Sequence, residues 1–297
     1  MEHFNPILGN DTTGQKFITC GEIMLRLTPP NYEKIRMASG FEASYGGSEA
    51  NIALALANLG VDSTFFSVVP NNSLGKSAVR WLRSNDVHCT PMILTEPNET
   101  PSNRLGTYYL ETGYGIRPSK VIYDRAHSSI SEASPEDFDW VKIFEGADWF
   151  HFTGITPALN DTVAGICLEA CKKAKELGLT VSCDLNYRNK LWSKAKAGEV
   201  MGELCKYVDV CIANEEDASD VFGIKAANTD VTTGTVNHEG YKDVAKQLAD
   251  RFGFTKVAIT LRESLSANDN NWSAMLYDGT GYYFSKKYKM HIVDRVG

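Results

Sequence analysis

The sequence predicts an α/β fold: a mostly parallel sheet with helices on both faces, a three-layer arrangement. Three observations predict it. Short apolar runs alternate with amphipathic segments of helical period, several of those segments stop at a glycine, and two stretches, 28–45 and 103–130, break the alternation. Strands separated by helices of about 10–15 residues pair through crossovers, which makes them parallel and lays the helices on the sheet faces. Phe17–Leu27 reads as the first strand, and Glu49–Leu59 as an Ala- and Leu-rich helix with Gly60 past its end. Ser63–Val69 is a β-branched and aromatic strand, followed by the helical pattern Leu74–Arg83. Asp148–Thr153 and Leu179–Asp184 are short apolar strands flanking the amphipathic helix Thr162–Leu177, which Gly178 closes. Val208–Ala213, the helix Tyr241–Phe252 and the strand Lys256–Leu261 continue the pattern. In the second interruption, RLGTYYLETGYGIRPSKVIYDR reads as two strands around a glycine-containing turn. It fits equally a lid above the carboxyl ends of the sheet, where ligands of such folds sit, and an ordinary edge hairpin.

Composition narrows the function classes. At 297 residues the chain is long enough for one large domain or two. With 43% hydrophobic and 23% charged residues it is a globular rather than a disordered sequence. A formal net charge of −7 without a basic stripe argues against nucleic acid and anionic membrane as partners. No run approaches the roughly 20 apolar residues of a membrane span, and MEHFNPILGNDTTGQ lacks the basic and apolar regions of a signal peptide. Seven cysteines without a CxxC pair, most within apolar segments, predict reduced buried thiols in a cytoplasmic protein and no structural zinc. The six histidines are scattered, with no HExxH.

Several short motifs invite a chemical reading. Pro70-Asn71-Asn72-Ser73-Leu74-Gly75-Lys76-Ser77 ends like a phosphate-binding P-loop, but Pro70 stands where the first glycine belongs and has no N–H to offer. A plain strand–turn–helix junction is the better reading. Gly113-Tyr114-Gly115 lacks the third glycine of a dinucleotide fingerprint. In Tyr45-Gly46-Gly47-Ser48-Glu49-Ala50-Asn51, paired glycines before a helix let ligand and backbone approach closely, and Asn51 can aim its amide at a polyhydroxy ligand; Ser48 serves equally as a helix N-cap. Asp184-Leu185-Asn186-Tyr187-Arg188 follows a strand directly, so its polar residues emerge at the carboxyl end, where an arginine suits a carboxylate or phosphate; a surface loop fits too. Asn214-Glu215-Glu216-Asp217 is a second strand-end acidic cluster, fit either to bias Mg²⁺ through water or to pair with a helix N-terminus.

Taken in order, these segments resemble the ribokinase-like (PfkB) carbohydrate kinases, and among them the 2-keto-3-deoxygluconate kinases, over residues 17–297. Gly46-Gly47-Ser48-Glu49-Ala50-Asn51-Ile52-Ala53 matches the GGxxxNxA signature, while Pro70 replaces a usual glycine. The resemblance implies a ribokinase-like three-layer α/β/α sandwich with a small β-sheet lid built from segments 28–45 and 103–130; the aromatic-rich lid strands could pair across a homo-oligomer, since exposed strand edges tend to be covered. It implies that Gly46, Gly47, Asn51, Tyr108, Tyr123, Arg125 and Ile155 line the sugar-acid pocket, with Arg188 completing a clamp on the carboxylate. Asn214 and Asp217 occupy the NxxE position, with Asp for Glu, and Thr260 and Arg262 fall where a nucleotide-binding strand end is expected. The reaction implied is transfer of the ATP γ-phosphoryl group, with Mg²⁺, to 2-keto-3-deoxygluconate, giving 2-keto-3-deoxy-6-phosphogluconate. The alternatives are a kinase of a neutral sugar such as fructose or ribose, and a non-catalytic sugar-acid binding protein. Asp294-Arg295-Val296-Gly297 resembles the lead-in to the family's GAGD segment, so the resemblance puts the aspartate base and its anion hole past residue 297, with an expectation of binding without turnover for these residues.

Overall fold

The computed structural model describes residues 14–96, 103–225 and 238–294. The signal-peptide reading of the first residues and the tripeptide Arg295-Val296-Gly297 therefore lie outside, or almost entirely outside, the described residues. In chain order the elements are β1 (Lys16–Cys20), β2 (Met24–Thr28), β3 (Glu42–Gly46), α1 (Ser48–Asn58), β4 (Asp62–Phe66), β5 (Val68–Val69), α2 (Ser73–Arg83), β6 (Ile93–Leu94), β7 (Gly106–Glu111) and β8 (Lys120–Asp124). They continue with α3 (Trp140–Ile143), β9 (Trp149–Thr153), α4 (Asp161–Glu176), β10 (Thr180–Asp184), α5 (Lys194–Leu204), β11 (Val210–Ala213), α6 (Glu215–Phe222), α7 (His238–Phe252), β12 (Lys256–Ser264), β13 (Asp269–Tyr277), β14 (Tyr282–Phe284) and β15 (Tyr288–His291).

The large sheet runs β14-β13-β12-β11-β10-β9-β1-β4, with β15 also on β13. From β4 to β12 every pairing is parallel, and β13 to β15 close the edge antiparallel. Alternation along each strand sends side chains to two cores. Ile18, Phe66, Phe150, Phe152 and Val181 pack with Ile166 of α4 and Met201 of α5. From the other face, Phe65 packs with Ala50 and Ala53 of α1 and Ala78 and Leu82 of α2. Each fully buried phenylalanine contributes about 2 kcal/mol by removing its ring from water. No helix among the described residues is long and apolar enough to cross a membrane.

A separate four-stranded sheet, ordered β3-β2-β7-β8, carries both interrupting stretches. It also takes in Met24–Thr28, which the sequence reading assigns to the first strand of the main sheet. The chain leaves the main sheet just past Gly21, whose N–H still donates to the Phe66 carbonyl at 3.3 Å and where a Cβ would sit 2.1 Å from Glu49 Oε2. The small sheet thus springs from the carboxyl end of β1, above the edge where β9 and β10 also end.

Candidate functional site

The glycine pair explains itself by contact. Gly46 ends β3 under the Tyr108 hydroxyl, and a Cβ there would lie 2.5 Å from that oxygen and 3.7 Å from Asn51 Oδ1. A Cβ on Gly47 would lie 1.9 Å from the Glu22 carbonyl oxygen. Gly47, not Ser48, is the N-cap of α1; Ser48 is its first residue, and its hydroxyl accepts a hydrogen bond from Asn186 Nδ2 at 3.0 Å. The Gly47 N–H donates to Asn51 Oδ1 at 3.4 Å. Tyr108, Asn51 and both glycines therefore meet at one point, and Asn186 ties the DLNYR turn to it.

The small sheet presents one face to this point. Arg26 is in register with Ser44 on one side and Tyr108 on the other, and Tyr108 is paired with Tyr123. Directly paired residues project to the same face, so Ser44, Arg26, Tyr108 and Tyr123 share it. The Tyr108 and Tyr123 rings lie 6.0 Å apart, and the Arg125 guanidinium sits 5.5 Å from the Tyr123 ring centroid. Burial pushes the Tyr108 hydroxyl up to about 12, so it is a neutral donor at physiological pH. Two charged residues here escaped the sequence reading. Glu22 is buried and forms an ion pair with Arg125; its Oε1 and Arg125 Nε have no hydrogen-bond partner among the described residues. Arg26, equally buried, binds Thr28 Oγ1 through Nε at 3.0 Å and Asp294 Oδ1 through Nη2 at 2.7 Å. The only sequence signal for Arg26 was a charge within the apolar run MLRLT.

Below this face lie the strand ends. Glu49, buried in the first turn of α1, accepts at Oε1 from the Thr153 N–H at 3.0 Å, the Thr153 hydroxyl at 2.7 Å and the Thr156 hydroxyl at 2.8 Å. Burial raises its pKa and the threonine donors work against that rise. Ile155 donates its N–H to Thr153 Oγ1 at 3.2 Å, which fixes the loop after β9. At the end of β10, burial pushes the Asp184 carboxyl up to about 7, the Asp217 charge adds to that, and the Asn186 N–H and Arg188 oppose it. Asp184 Oδ1 accepts from Asn186 N at 3.1 Å, holding Asn186 at a left-handed φ of 38°. Arg188 is exposed and donates to the Tyr187 carbonyl at 2.9 Å. Its charge lowers the pKa values of Asp184 and Asp217 against the larger effect of burial, which places it near the strand-end acids.

The residues read as nucleotide-side ligands serve local structure. Asn214 caps α6, accepting from Asp217 N at 2.7 Å, and the Asp217 carboxylate accepts from Asn214 N at 3.4 Å and Tyr187 N at 3.1 Å. Both Asp217 oxygens are thus held by backbone amides, and among the described residues no three metal-ligating side chains cluster. Asn214 and Asp217 thus spend their polar atoms on the start of α6, and a metal near them would be reached through water rather than held by them directly. Thr260 and Arg262 lie inside the nine-residue β12 rather than at its end, paired with Ala274 and Trp272 of β13. The strand outruns the expected Leu261 because β13 pairs with it through Ser264. Arg262 is exposed, over the Trp272 ring at 5.9 Å. The P-loop look-alike is a helix cap: Asn72 Oδ1 takes the N–H groups of Leu74 and Gly75 at 3.0 and 3.1 Å, the amides a phosphate would need.

Comparison with known proteins gives four further findings. The pfkB family carbohydrate kinase model matches residues 15–264. Over 282 residues the chain is 33% identical to a 2-dehydro-3-deoxygalactonokinase of Haloferax volcanii, spanning 95% of this chain and 80% of that one. Among solved structures it is similar to a 2-dehydro-3-deoxygluconokinase of Thermotoga maritima, with 48% identity, a TM-score of 0.88 and coverage of 95% and 83% of the two chains. A PfkB family carbohydrate kinase of Listeria grayi is similar at 30% identity and a TM-score of 0.84, again over 95% and 83%.

Proposed function

The chain belongs to the pfkB family of carbohydrate kinases, with the ribokinase-like α/β fold of that family, and on that premise we propose that it phosphorylates 2-keto-3-deoxygluconate from ATP, giving 2-keto-3-deoxy-6-phosphogluconate. One observation carries the choice of substrate. Two guanidinium groups, the buried Arg26 and the largely covered Arg125, stand on or beside the face that holds Tyr108 and Tyr123. Glu22 and Asp294 already answer these two charges, so the support for an acidic substrate is that two cationic groups stand beside the tyrosine face, where they favour an anionic ligand over a neutral one. A sugar acid is such a ligand, and its hydroxyls suit Asn51, the Tyr108 hydroxyl and the Gly46–Gly47 backbone.

In this reading the acid lies between the small sheet and the strand-end loops, with Ile155 and Arg188 on the main-sheet side. The residues do the positioning on which phosphoryl transfer depends: they orient one hydroxyl toward the donor and exclude water from it. Family members use ATP as donor, generally with a divalent metal. We take Mg²⁺ as that metal, where it would neutralise phosphate charge. Asp217 is already held by two amides, so no step is assigned to it. The seven buried, unpaired thiols support a reducing, cytoplasmic setting, and the exposed β8 edge supports association through the small sheet.

The galactonate epimer is the second reading, favoured by the Haloferax relative. Calorimetric titration with 2-keto-3-deoxygluconate, its C4 epimer and fructose distinguishes the cases. Direct binding is read without turnover, so it does not depend on the proton-transfer step. The acid should bind at least about tenfold more tightly than fructose, or roughly 1.4 kcal/mol; equal affinities would reject a sugar-acid site, and preference for the epimer would select the second reading.

A further inference from the structure

The small sheet touches the main sheet at both of its ends. Its root is the carboxyl end of β1, where the chain leaves the main sheet past Gly21. Its far end, the turn between β7 and β8, rests on the turn between β12 and β13. There the Gly115 N–H donates to Asn268 Oδ1 at 2.7 Å, and the Gly115 carbonyl accepts from the Ala267 N–H at 2.9 Å. In the main sheet β1 and β12 stand four strand spacings apart, in the order β1-β9-β10-β11-β12, which is about 19 Å at the usual separation of paired strands. The small sheet therefore bridges the carboxyl ends of β9, β10 and β11, which lead into Ile155, Asn186 and Asn214.

Each of the two turns is ordered by its own bonds. Tyr114 and Arg117 exchange backbone hydrogen bonds, both at 3.0 Å, and Gly115 takes the first central position between them at a φ of 57°, which a tight hairpin turn asks of glycine. Across from it, Ser266 Oγ accepts the N–H groups of Asn268 and Asp269 at 3.1 and 2.9 Å, and Asn268 is buried. Apolar packing does not hold the contact, since Ile116 is fully exposed and Leu265 is 68% exposed. Hydrogen bonds hold it, and water can replace them when the tip lifts, so the contact is reversible. The β7–β8 ladder carries the position of the tip back to the pair Tyr108 and Tyr123. We propose that Asn268 is a positioning residue for the substrate: by taking the Gly115 N–H it latches the small sheet across the strand ends, and the sugar acid binds with that latch closed.

This inference rests on the reading of the small sheet as part of the sugar site, and the test separates the two. Calorimetric titration with 2-keto-3-deoxygluconate and with fructose is compared for wild type, Asn268→Ala, which removes the acceptor, and Asn268→Asp, which keeps one. Hydrogen exchange at the Gly115 amide is followed with and without the acid. Asn268→Ala should weaken acid binding about three- to tenfold, the worth of one neutral hydrogen bond. It should also speed exchange at Gly115 while leaving the amides of β10 unchanged. Asn268→Asp should restore both. In wild type the acid should slow exchange at Gly115, because a latch that favours the acid is favoured by it to the same degree. Asn268→Ala that binds the acid as tightly as wild type, or that exchanges Gly115 no faster, would overturn the latch. So would wild-type exchange at Gly115 that the acid does not change. Wild type that binds fructose as tightly as the acid would overturn the sugar-acid reading alone, and the latch would then stand or fall on the same affinity ratio measured with fructose. Wild type that binds neither would overturn both.

Discussion

At the scale of single residues, glycines in this chain do opposite things, and the difference is a matter of clearance. Gly47 has a backbone oxygen, that of Glu22, 1.9 Å from where its Cβ would be, and backbone cannot swing aside as a side-chain tip can. Gly165 in the middle of α4 has nothing within 4 Å of its Cβ position. Gly47→Ala should therefore destabilise by about 2–4 kcal/mol, through overpacking that displaces β2 from α1. Gly165→Ala should stabilise by about 0.5–1 kcal/mol, since it only restricts the unfolded chain and restores helix propensity. Urea midpoints read both, and a Gly47→Ala protein as stable as wild type would show that the glycine is not sterically required. The same scale shows what sequence can carry. Gly46, Gly47 and Asn51 were legible because their types are restrictive and their spacing is local. Glu22, Arg26 and Glu49 were not, because each takes its meaning from a partner about 100 or more residues away: Arg125, Asp294 and Thr153.

At the scale of elements, α2 shows one motif with two meanings. Its first turn is the stretch that looks like a P-loop, yet Asn72 already takes the two amides that would cradle a phosphate. Gly75 is there for closeness: a Cβ would lie 2.0 Å from the Pro70 carbonyl oxygen. Asn72→Ala should cost about 1 kcal/mol, the usual worth of an N-cap, and Lys76→Ala should leave the affinity for a non-hydrolysable ATP analogue unchanged. A loss of nucleotide binding with Lys76→Ala would reinstate the phosphate reading. Most strands and long helices were legible from period and punctuation, to within a few residues. What was not legible has physical causes. β1 and β2 form one apolar run in sequence, and only the pairing with partners far along the chain, β4 and β9 for one and β3 and β7 for the other, separates them. α5 is weakly amphipathic and contains Gly198 and Gly202, so its helix comes from packing: Ala197, Met201 and Leu204 bury against the core. The polar strand β13 is specified by its antiparallel partner β12 rather than by its own pattern.

At the scale of the whole molecule, two buried groups on the main sheet set opposing pH dependences. The wholly buried His151 is pushed down to about 4 by burial, with Nδ1 2.8 Å from Ser182 Oγ and Nε2 without a partner among the described residues. Below its unfolded value of 6.5 the unfolded chain takes up a proton that the folded one refuses, so stability is lost as pH falls from about 6.5 to about 4. Asp184 runs the other way. Its folded pKa is raised from 3.8 to about 7, so its contribution is complete below about 4 and is lost as pH rises to about 7. Each slope is roughly 1.4 kcal/mol per pH unit, and between about pH 4.5 and 6 they offset one another. Removing one should expose the other. His151→Gln should become less stable relative to its pH 4.5 value as pH rises to 6.5, and Asp184→Asn should become less stable as pH falls over the same range. Urea unfolding at pH 4.5, 5.5 and 6.5 reads the difference in slope from wild type, in which all other titrating groups cancel. Both variants keeping the wild-type slope would mean that neither group is held in its neutral form by the fold.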